Sequence, residues 1–138
     1  SGNTEQIDNL RNLLKKNKIK CIPLPVSAPF HCSLMKSASD KMKNKINTVE
    51  FKKPEYEIVN NVTASSEIKP EKFKNLLIEQ IYTKVRWRES ILFMINNKVD
   101  EFVEIGPGKV LSGLIKRINK ECKSCSINTL EEMKEISK

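Results

Sequence analysis

The chain has 138 residues, 38% of them hydrophobic and 30% charged, and its 25 Lys and Arg against 17 Asp and Glu give a formal charge of +8. That is enough apolar material for one modest core. No apolar run approaches the ~18–20 residues of a membrane span, and the opening Ser1-Gly2-Asn3-Thr4-Glu5 has no feature of a signal or transit peptide, so a soluble chain is expected.

Residues 4–17 read as a helix capped by Thr4, with Ile7, Leu10, Leu13 and Leu14 at spacings of three and four. Residues 19–26 read as a strand. Pro23, Pro25 and Pro29 forbid a helix before His31 and leave it on a loop. Ser33 or Ser37 can then cap a helix to Thr48 that carries Leu34, Met35, Ala38, Met42 and Ile46 on one face. Residues 57–62 have the β-branched content of a strand, and Asn60-Asn61 is a loop signal.

Pro70 opens a helix to about Tyr82 that buries Phe73, Leu76, Leu77 and Ile81. Residues 88–97 read as a helix and 99–105 as a strand, followed by a tight turn at Gly106-Pro107-Gly108. The helix expected over 109–120 buries Val110, Leu111, Leu114, Ile115 and Ile118; a strand at 124–128 and a helix at 130–136 complete the chain. Strands alternating with helices predict an α/β fold with a parallel sheet covered on both faces.

The positive charge admits an acidic protein, a phosphate-bearing ligand or nucleic acid as partner. Lysines are spread along the whole chain, however, and two Tyr and one Trp are few for stacking on bases. A lysine-rich solvated surface accounts for most of the excess. Four cysteines stand at 21, 32, 122 and 125. Cys122-Lys123-Ser124-Cys125 has the spacing of half a zinc site, but no second pair accompanies it, so no metal and reduced thiols are expected.

His31 is the only histidine, hence the only imidazole available as a proton carrier. A histidine on a strand-to-helix loop suits a general base, although position alone favours an ordinary surface loop. The neighbouring residues bear on the choice. The run Pro25-Val26-Ser27-Ala28-Pro29-Phe30-His31-Cys32-Ser33-Leu34-Met35 closely resembles the histidine segment of the malonyl-CoA:acyl carrier protein transacylases of type II fatty-acid synthesis. Ile58-Val59-Asn60-Asn61-Val62, then Glu79-Gln80-Ile81-Tyr82 leading to Val85-Arg86-Trp87, then Val103-Glu104-Ile105-Gly106-Pro107-Gly108-Lys109-Val110-Leu111-Ser112-Gly113-Leu114-Ile115-Lys116-Arg117 resemble the same family in the same order.

The resemblance implies a hydrolase-like parallel-sheet domain with an inserted ferredoxin-like subdomain. Residues 1–24 would be the end of that subdomain and residues 25–138 the C-terminal half of the larger domain, so the chain looks like a fragment. It also implies transfer of a malonyl group from coenzyme A to the phosphopantetheine thiol of acyl carrier protein, with no cofactor beyond the substrate malonyl-CoA. The implied partners are acyl carrier protein, malonyl-CoA and the missing N-terminal half of the enzyme, with neither nucleic acid nor membrane. The implied compartment is the bacterial cytoplasm, or a plastid or mitochondrial lumen.

Acyl transfer through a covalent intermediate needs a nucleophile, a base, a group that orients the base, and donors for the oxyanion. The family's serine sits on a Gly-x-Ser-x-Gly elbow, and none of Gly2, Gly106, Gly108 and Gly113 forms one. By resemblance His31 is the catalytic base, and Gln80 is the residue whose main-chain carbonyl orients it; a polar residue at a helix end is the plain alternative for Gln80. Asn61 matches an asparagine near the site, or is a turn residue. Phe30 matches an aromatic that goes with malonyl rather than methylmalonyl selection. Lys116 and Arg117 match positions that meet the acidic carrier protein, or serve solubility. Gly106-Pro107-Gly108-Lys109 precedes a helix but lacks a nucleotide-loop pattern.

Two rival functions differ in class. A thiol enzyme using Cys32 is disfavoured because neighbours in an extended segment point to opposite sides. A non-catalytic basic module for an acidic protein or nucleic acid is disfavoured by the dispersed charge.

Overall fold

The computed structural model describes residues 1–136. Two compact units are present, residues 1–86 and residues 87–138.

In the first unit α1 spans Thr4–Lys16. Its cap is Asn3, whose side chain accepts the N–H of Glu5 at 3.0 Å, so Thr4 is the first helical residue and not the cap. Lys18, at φ 56, takes the left-handed place where helix ends often hold glycine. The strand expected over 19–26 is absent: the segment has no ladder, and Ile19, Ile22, Leu24 and Val26 are exposed. Pro23 and Pro25 lack the N–H groups a ladder needs.

A 3-10 turn at Ser33–Met35 leads into α2, Lys36–Thr48, and neither start carries a side-chain cap, so Ser33 and Ser37 do not cap it. β1 is only Ile58–Val59; it pairs antiparallel with β2, Ser66–Glu67, a strand the sequence reading lacks. Asn60 closes the loop between them, its Oδ1 accepting the N–H groups of Val62 (3.1 Å) and Thr63 (2.9 Å). Then α3, Pro70–Gln80, starts with proline in its first turn and packs against α2.

The second unit runs α4 (Trp87–Asn96), β3 (Glu101–Ile105), α5 (Val110–Ile118), β4 (Lys123–Ile127) and α6 (Leu130–Ile136). β3 and β4 are parallel, with Phe102 opposite Ser124 and Ile105 opposite Ile127. Strand alternation therefore puts Phe102, Glu104, Ser124 and Ser126 on one face. Ile91, Phe102, Ile115 and Cys122 form the core there, backed by Trp87, Met94, Ile95 and Ile118.

The parallel α/β arrangement is as expected, but the second face of this unit's sheet is only partly covered. Ile105 is 74% exposed and Val103 42% exposed on the face away from that core. Ile127, opposite Ile105 on that same face, is buried, so the bare part of the second face lies along β3.

Candidate active site

His31 is exposed and held at φ 60, in the left-handed region. A non-glycine residue there costs about 1–3 kcal/mol and persists only when its surroundings hold it. Several contacts do so. The N–H of Phe30 reaches the Ala28 carbonyl at 2.9 Å, the Cys32 thiol donates to the Pro29 carbonyl at 3.1 Å, and the N–H of Met35 returns to the Cys32 carbonyl at 3.0 Å.

The fourth contact comes from far along the chain. Nδ1 of His31 lies 3.1 Å from the main-chain oxygen of Gln80, the last residue of α3. A carbonyl oxygen only accepts, so this is a hydrogen bond when Nδ1 carries the proton. Nε2 is then the free lone pair, the atom a base must present.

Helix α2 returns beside α3 at further points. The buried Ser39 hydroxyl donates to the Ile78 carbonyl at 2.9 Å, and the Lys36 ammonium sits 4.4 Å above the Tyr82 ring. Lys74 on α3 donates to the Asn47 carbonyl at 3.1 Å. The spacing of Leu34, Met35, Ala38, Met42 and Ile46 predicts a helix face, but nothing in it announces Ser39.

Phe30, directly before the histidine, is 49% exposed. Asn61 is half-buried in the loop that Asn60 closes, and the Arg86 guanidinium donates to the Thr63 carbonyl of that loop at 3.1 Å. Asn60 and Arg86 are thus the residues that set this loop; the loop signal in Asn60-Asn61 marked the turn without saying which asparagine holds it.

Lys116 and Arg117 belong to the second unit, on the exposed side of α5. They are not equivalent, because the Lys116 ammonium donates to the Cys122 carbonyl at 2.5 Å. At the other end of α5 the cap position is Lys109, which has no side-chain cap hydrogen bond. Glu104 on β3 does that work: its carboxylate accepts the N–H of Leu111 at 3.0 Å, and the N–H and hydroxyl of Ser112 at 2.8 Å each. These bonds, that from the Ser112 N–H first, hold the Glu104 carboxyl below the usual carboxylate range. The Gly106-Pro107-Gly108 turn is braced by Asn128, whose side-chain oxygen accepts the Gly108 N–H at 2.7 Å. Among the described residues no group of three or more His, Cys, Asp or Glu side chains is placed to hold a metal ion, and no helix is long and apolar enough to cross a membrane.

No family model matches the chain. Among curated proteins it is 43% identical over 135 residues to a malonyl CoA-acyl carrier protein transacylase of Staphylococcus aureus (strain COL), covering 97% of this chain and 44% of that one. Among solved structures, an acyl-carrier-protein-S-malonyltransferase of Bartonella henselae matches at TM-score 0.91 and 38% identity, over 98% of this chain and 43% of the other. A malonyl-transacylase solved in complex with its type II PKS acyl-carrier protein matches at TM-score 0.89 and 36% identity, over 96% of this chain and 43% of that one. By fold and sequence the chain resembles the C-terminal portion of these acyltransferases. It is similar to malonyl CoA-acyl carrier protein transacylases and spans about 44% of the length of the curated relative it matches.

Proposed function

We propose that this chain supplies the base of a malonyl transfer from coenzyme A to the phosphopantetheine thiol of acyl carrier protein, with the nucleophilic serine outside these residues. The observation that carries the reading is the approach of His31 Nδ1 to the Gln80 carbonyl. It leaves Nε2 to take the serine proton as Oγ adds to the malonyl thioester carbonyl. Collapse of the tetrahedral adduct breaks the C–S bond, and the departing thiolate takes that proton back from Nε2. The carrier-protein thiol then gives its proton to Nε2, attacks the malonyl-serine ester, and serine leaves with the proton restored. The carbonyl of Gln80 orients the ring as the aspartate of a Ser-His-Asp triad does.

In this reading Phe30 and Asn61 lie against the acyl group, and Lys116 and Arg117 face the acidic carrier protein. A solved relative in complex with an acyl-carrier protein supports that partner. No cofactor is needed besides the substrate, and the bacterial relatives favour a cytoplasmic enzyme. Residues 1–24 would close a small ferredoxin-like subdomain and residues 25–138 would form the C-terminal half of a hydrolase-like domain. A match of 98% of this chain to 43% of a malonyltransferase supports reading it as part of a longer enzyme. The absence of a Gly-x-Ser-x-Gly elbow makes the 138 residues inactive by themselves.

The test is an intact-mass spectrum after incubation with malonyl-CoA, with and without a separately made serine-bearing portion of a relative. A malonyl adduct on that portion only, lost with His31→Ala, is expected. A stable adduct on this chain alone would overturn the reading and make Cys32 the first residue to replace.

A further inference from the structure

The carbonyl facing His31 is one of the last in α3, and a helix end leaves such oxygens without intrahelical donors. Each of the last three finds a different donor. Ile78 O receives the Ser39 hydroxyl at 2.9 Å. Glu79 O receives the N–H of Tyr82 at 3.2 Å and the Thr83 hydroxyl at 3.0 Å. Gln80 O faces His31 Nδ1 at 3.1 Å. In a continuing α-helix the Tyr82 N–H would go to Ile78 O. Here the turn tightens to the 3-10 pattern, and the oxygen it gives up is the one Ser39 serves.

Ser39 is 0% exposed and sits on the helix that follows His31. Alanine is the better helix former and would suit an apolar contact equally well, so a serine buried mid-helix is explained by its acceptor. Its hydrogen bond ties the helix next to the histidine to the helix end that orients the ring.

We propose that Ser39 is a positioning residue for His31: by holding the Ile78 carbonyl it fixes the last turn of α3, so that the Gln80 oxygen meets Nδ1 and the ring keeps its proton there. The inference rests on the reading of His31 as the base. Ser39 touches neither substrate nor the reacting atoms and acts through α3 alone.

The chain has one histidine, so a histidine-selective ¹⁵N spectrum of the full chain in mildly alkaline buffer reports a single ring. The unaltered chain is expected to show Nδ1 protonated and Nε2 bare. Ser39→Ala is expected to move the tautomer ratio several-fold toward the Nε2–H form, and Ser39→Thr, which keeps the hydroxyl, to restore the original ratio. An unchanged ratio in folded Ser39→Ala overturns the role of Ser39 while leaving His31 as the base. A ring that is Nε2-protonated in the unaltered chain overturns both. If Ser39→Ala does not fold, Ser39→Cys, of nearly the same shape and with a weaker donor, takes its place; an intermediate ratio is expected, and the original ratio overturns the proposal.

Discussion

Nδ1 of His31 and the main-chain oxygen of Gln80 lie 3.1 Å apart across a sequence separation of 49 residues. Because the acceptor is backbone, the side chain of residue 80 is not what fixes the ring. Gln80→Ala is expected to leave the tautomer of His31 unchanged, read from the same single-histidine spectrum. A shift toward the Nε2–H form would mean that the amide side chain, and not the carbonyl, governs the ring.

Phe30 offers a ring directly before the histidine, and its partial exposure leaves that ring a free face. A ring that fills the space beside the acyl α-carbon excludes an α-methyl group, an effect worth about 1–3 kcal/mol, or roughly 10–200-fold in selectivity. Phe30→Ser, assayed together with the serine-bearing portion of a relative, is expected to raise kcat/KM for methylmalonyl-CoA relative to malonyl-CoA by an amount in that range. An unaltered ratio would remove Phe30 from substrate selection.

Lys116 and Arg117 are both exposed on α5, but the Lys116 ammonium is already engaged by the Cys122 carbonyl. Exposed charges at the rim of an interface act chiefly on encounter with the partner. Arg117→Glu is therefore expected to raise KM for acyl carrier protein more than Lys116→Glu does, with KM for malonyl-CoA unchanged by either. Lys116→Glu should instead lower the melting temperature, since it breaks the tie from α5 to the start of β4. Equal effects of the two reversals on KM would show that the intramolecular bond does not hold Lys116 back.

The helices were legible from the spacing of their apolar residues, and Pro70 marked the start of α3 to the residue; the burial of each stripe was not, since Leu10 and Leu13 of α1 and Val110 and Leu111 of α5 are exposed. Strand β3 and its parallel partner β4 were legible too, because Phe102, Val103 and Ile105 have the right composition and Gly106 follows. What could not be read depends on distant partners. Residues 19–26 look like a strand until the ladder is sought, and Ser66–Glu67 become one only because Ile58 and Val59 lie opposite them. His31 takes a positive φ without a glycine or asparagine to announce it. The pairing of His31 with Gln80 came from family resemblance and not from periodicity. Ser39, Asn60, Arg86 and Glu104 work through bonds to atoms that sequence spacing does not bring near.

Glu104 shows how such a bond becomes measurable. Its carboxylate caps the N-terminus of α5 from the neighbouring strand, where the helix's own cap position, Lys109, has no acceptor to offer. The Ser112 N–H, and after it the Leu111 N–H and the Ser112 and Ser126 hydroxyls, favour the ionised form against desolvation, so the folded pKa lies below the unfolded one. The stability this contributes is complete above the ordinary carboxylate range and is lost as the pH falls through the lowered folded value. Glu104→Gln cannot ionise and is expected to melt lower than the unaltered chain at neutral pH. Its loss of stability on acidification should be shallower, with the remaining slope carried by Glu67 and Glu132, whose pKa values are lowered in the same direction. Thermal melts followed from neutral pH into the acid range provide the comparison. Parallel curves for the two proteins would show that the strand carboxylate is not what holds the helix start.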